Sequence, residues 1–206
     1  AYGRYDGTFR DNVVFLYFIG GMAMGALLGF LSLLSFVVLQ NQLIAVVLIA
    51  LLLPIAVTVG INRRKWQGER HAVFNGGAFG LGIAVMMAFT YLYRFHLDVD
   101  WPTIVRSLLL AAGFAGLFFG LGLLAGNSVR LRKPLRFAFL GTAIILAPVI
   151  FLGVYTQQQL WTFPALIAAY GGVFAFAAER RILIEGVTDE ARKMRRRRRR
   201  KAMMER

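Results

Sequence analysis

The run VVFLYFIGGMAMGALLGFLSLLSFVVL, Val13–Leu39, decides the fold. It carries no charge from end to end, and its apolar residues surround the whole helical circumference rather than forming one stripe. A helix that is hydrophobic all round is buried or in lipid. A hydrocarbon core about 30 Å thick takes roughly 20 apolar residues as a helix, and this run exceeds that. In lipid the backbone must satisfy its own hydrogen bonds, which a helix does within one segment. The run lacks the short apolar region and small-residue cleavage pattern of a removable signal, so it reads as a permanent helix.

Five further runs share its character: approximately 43–61, 76–93, 104–125, 137–155 and 163–178. The expected fold is therefore an all-α integral membrane protein, a bundle of six transmembrane helices over residues 13–178. A short arm, 1–12, precedes it, and a polybasic tail, 179–206, follows. Composition agrees: 17% of the 206 residues are charged, against about 25% in a soluble domain. Pro54 and Pro148 fall inside the second and fifth runs, where proline kinks a helix. Asp100 with Pro102, and Thr162 with Pro164, supply helix-start chemistry for the fourth and sixth.

Charge sets the orientation. Of the 24 lysines and arginines, only Arg94 and Arg106 belong to the odd-numbered connections. The rest lie in the N-terminal arm, in NRRKWQGERH (62–71), in RLRKPLR (130–136) and after Ala178. Positive charge stays on the side from which the chain inserts, so both termini are expected in the cytoplasm, matrix or stroma. Tyr91, Tyr93, Trp101, Tyr155 and Trp161 gather at the opposite ends, where amphipathic rings settle at headgroup level. The membrane is expected to be a bacterial plasma membrane or an organellar inner membrane.

Lipid tails are as apolar as leucine, so helices in a membrane associate by close backbone approach, which small residues permit. Gly21, Gly25 and Gly29 recur every four residues in the first run, Gly76 and Gly80 in the third, and Ala112, Gly116 and Gly120 in the fourth. Ala168 and Gly172 repeat the spacing in the sixth. These positions are expected to pack the bundle against itself, with the groove of the first helix as a candidate docking place for a partner's helix.

The catalytic and transport chemistries that need buried ionisable groups find none in the runs. All ten carboxylates lie in connections or termini, so no proton relay is evident. Arg106, near the outer end of the fourth run, can reach the interface and pair with Asp98 or Asp100. Cysteine is absent, which removes disulfides, thiolate metal sites and thiol nucleophiles. The six-helix plan invites comparison with rhomboid proteases, but their GxSG motif is not here. His71 and His96 fall on opposite sides and cannot share a haem, and neither is expected to hold a pigment or haem at an interface. His96, Asp98 and Asp100 alternate as a cation site would need, but the reading preferred is a solvated loop with a helix cap. No metal and no cofactor is expected, only bound lipid.

The tail ends MRRRRRRKAMMER, with Arg195, Arg196, Arg197, Arg198, Arg199, Arg200 and Lys201 in one block. Six consecutive arginines wrap a helix completely, so they form a charged rod or arm rather than an amphipathic face. Near a last membrane helix such a block attracts anionic headgroups at about 1 kcal/mol per cation. Arginine's planar fork equally suits carboxylates of a protein partner. Ribosomal RNA is the less favoured ligand, since no aromatic residue is interleaved to stack on bases.

The function expected from these features is non-catalytic: an accessory subunit of a larger membrane complex, packing through glycine-rich helices and a polybasic tail. Its partners would be other membrane subunits and anionic lipids. The alternative is solute binding. In size and six-helix plan the chain resembles the substrate-binding components of energy-coupling-factor vitamin transporters. That resemblance implies a ligand cup on the outer side, for which Gln40, Asn41, Gln42, Asp98, Asp100, Gln157, Gln158, Gln159 and Trp161 are the candidates.

Overall fold

The computed structural model describes residues 11–38, 52, 54–55, 57–61, 71–94, 101–131, 141, 144 and 164–182. Every described residue is helical except Leu131, which turns out of the helix before it. Four helices organise them: α1 (Asp11–Val38), α2 (His71–Arg94), α3 (Trp101–Arg130) and α4 (164–182). Three of these contain stretches long and apolar enough to cross a membrane: Asn12–Leu31, Ala72–Thr90 and Trp101–Arg130. The expected helix boundaries shift outward, since α2 begins at His71 rather than 76 and α3 runs from Trp101 to Arg130 rather than 104–125. Polar and charged residues at the ends cost a helix little where headgroups and water receive them.

Contacts between helices set their order and direction. In α1, Gly21 faces the backbone of Phe79 and Gly25 that of Ile83, so α1 and α2 climb together as a parallel pair. In α3 the sense reverses: Gly126 meets Ala72, Gly122 meets Gly76 and the backbone of Phe118 meets Gly80. Between α3 and α4 it is parallel again, with Gly113 against Ile167, Gly116 against Gly171 and Gly120 against Phe174. The starts of α1 and α2 and the ends of α3 and α4 therefore share one side of the molecule. At the opposite end, Tyr93 and Trp101 stand exposed on α2 and α3.

The core lies where α2 and α3 meet, with α1 and residues 57–61 closing it. Phe79, Ile83, Phe114, Phe118, Leu121 and Val129 are buried there with Leu28, Val57 and Ile61. The ring of Phe79 fills the space beside Gly60, 2.5 Å from where a Cβ would stand. α1 is peripheral: 22% of its membrane window is buried, against 67% for α2 and 61% for α3. Hydroxyls inside the helices are satisfied locally. Thr58 donates to the Pro54 carbonyl at 2.7 Å and Thr90 to that of Met86 at 2.8 Å, as apolar surroundings require. Tyr170 on α4 donates instead across the fold, to the Ile144 carbonyl at 2.9 Å.

Candidate functional site

The glycines are the candidate working surface, and those of the described helices can be placed one by one. Gly21, Gly25 and Gly29 line the face of α1 that meets α2. A Cβ on Gly25 would come within 2.8 Å of the Ile83 Cα, and one on Gly29 within 2.5 Å of the Thr90 hydroxyl. Real side chains do not approach backbone so closely, so the contact at Gly25 exists because the residue is glycine, while at Gly29 the Thr90 side chain would have to move. The groove of α1 is thus occupied by the chain's own α2. A partner's helix could dock in that groove only by displacing α2.

Gly76 and Gly80 face α3, and Gly116 and Gly120 face α4. The missing Cβ of Gly116 leaves room for the Gly171 carbonyl at 2.6 Å. On α4 the packed glycine is not the one the spacing marks. The residue meeting α3 is Gly171, while Gly172, one position on and 100° round the helix, has open space beside it. The four-residue spacing of Ala168 and Gly172 therefore does not mark the packed face.

Several contact glycines escape the stripes read from sequence. Gly82 on α2 meets the Phe18 carbonyl of α1, and Gly113 on α3 meets Ile167. Gly122 and Gly126 oppose Gly76 and Ala72, and the GLLAG motif, 122–126, carries their spacing plainly.

Two buried amides were also missed, Asn75 on α2 and Asn127 on α3. Asn75 is 2% exposed, and its Nδ2 has no hydrogen-bond partner among the described residues. By helix periodicity the two lie on different sides of the α2–α3 contact. Gly77 packs on Phe119 and Leu123, the side of α3 that leads one turn on toward Asn127. Asn75 lies one turn before Phe79, on the side closed by α1 and residues 57–61. An amide donor buried without an acceptor costs roughly 1–3 kcal/mol. The sequence signal was available, because an asparagine within an apolar run is uncommon enough to mark.

Arg106 and Arg130, on α3 near its two ends, are both partly buried. His71 is the first residue of α2. The arginine block Arg195–Arg200 with Lys201 lies outside the described residues. So do Gln40, Gln42, Asp98, Asp100, Gln158 and Trp161 of the outer cup, and His96. Among the described residues no three His, Cys, Asp or Glu side chains group as a metal site would need. No family model matches the chain, and no curated protein and no solved structure matches it.

Proposed function

We propose that this chain is a non-catalytic accessory subunit of a larger membrane assembly, crossing the bilayer six times with both ends on the inner side. The observation that carries the reading is the way the described helices meet. α1 with α2, α2 with α3, and α3 with α4 all touch through glycine, backbone against backbone. Contacts of this kind give dense, fixed packing without a hydrophobic driving force, as suits a part that braces others.

Helix direction supports the six crossings. A parallel pair joined through residues 39–70 needs the chain to return across the bundle between them, and the same holds for α3 and α4 through 131–163. The described residues between 52 and 61 are helical and pack on Phe79, as a returning helix would. Direction also supports the charge reading, because the basic connections 62–70 and 131–136 and the two termini then fall on one side. On that side the Arg195–Lys201 block is the adhesive element, holding anionic headgroups or the carboxylates of a neighbouring subunit.

The test is recovery of the protein from its own membranes in mild detergent through an N-terminal tag, beside a variant with Arg195–Arg200 changed to glutamine. The expected outcome is a set of co-purifying membrane subunits, depleted in the variant. Recovery of the same lone chain from both would refute the proposal.

A further inference from the structure

We draw no further inference here: the strongest candidate, the exposed apolar faces of α1 at Gly20 and Ala23 and of α4 at Ala165, Ala169 and Gly172, carries nothing, because nothing in the structure shows what covers either face.

Discussion

At the scale of single residues, the fold turns on atoms that are absent. A Cβ at Gly76 would meet the Gly122 carbonyl, and the two backbones would have to separate to admit it. Gly76→Ala is therefore expected to destabilise the bundle by about 1–3 kcal/mol, the range for overpacking, with a lower thermal midpoint in detergent. Gly172→Ala meets open space and gains helix propensity, so its midpoint should be unchanged or higher. Equal losses in both would show that helix packing does not distinguish the two positions. Asn75 gives the reverse case. Its buried Nδ2 has no acceptor among the described residues, so Asn75→Leu should be neutral or stabilising in the same melt. A loss of several degrees would mean that the amide holds a partner in the membrane. Spacing made the α1 stripe legible from sequence, but the direction each glycine faces was not. Helical phase relative to a neighbour is set by packing, and for α4 one residue separates the filled side at Gly171 from the open side at Gly172.

At the scale of elements, sequence reading found α1, α2 and α3 from their apolar length and underestimated the last two. Windows of hydropathy stop at the first polar residue, whereas the helices run on to Arg94 and Arg130 at the interface. Pro102 stands in the first turn of α3, where its missing N–H is no loss. What hydropathy cannot give is adjacency. The parallel pairing of α1 with α2, neither of which is next to the other in the order of runs, follows only from contacts such as Gly21 with Phe79. The hydrogen bond from Tyr170 to the Ile144 carbonyl ties α4 to the segment before it. Tyr170→Phe removes one neutral bond at the cost of about 0.5–1.5 kcal/mol, and should raise amide exchange in α4 without affecting α2. Uniform loosening of all four helices would contradict that local role.

At the scale of the molecule, the proposed topology turns the opposition between an apolar body and a net charge of +14 into sidedness. The helix directions gather the starts of α1 and α2 with the ends of α3 and α4, and the basic segments adjoin those ends. Cysteine-free sequence again allows a clean check. A membrane-impermeant maleimide applied to intact cells or organelles stripped to the inner membrane should label Asn41→Cys and Gln158→Cys, and reach Gln67→Cys only after permeabilisation. Labelling of Gln67→Cys in the intact system would reverse the orientation. The distribution of charge along the chain is legible in the sequence, because it depends on counting rather than on packing. The packed faces were not, since the glycines of α1 that first attract attention are consumed against α2 and the packed glycine of α4 is Gly171 rather than Gly172.

The most direct test of the subunit role is the native mass of the unaltered protein released from its own membrane in mild detergent. The expected result is a defined assembly well above the 23.0 kDa of the chain, containing other membrane proteins in fixed ratio. A mass of one or two copies of this chain alone, above all one carrying a bound small molecule, would contradict that role.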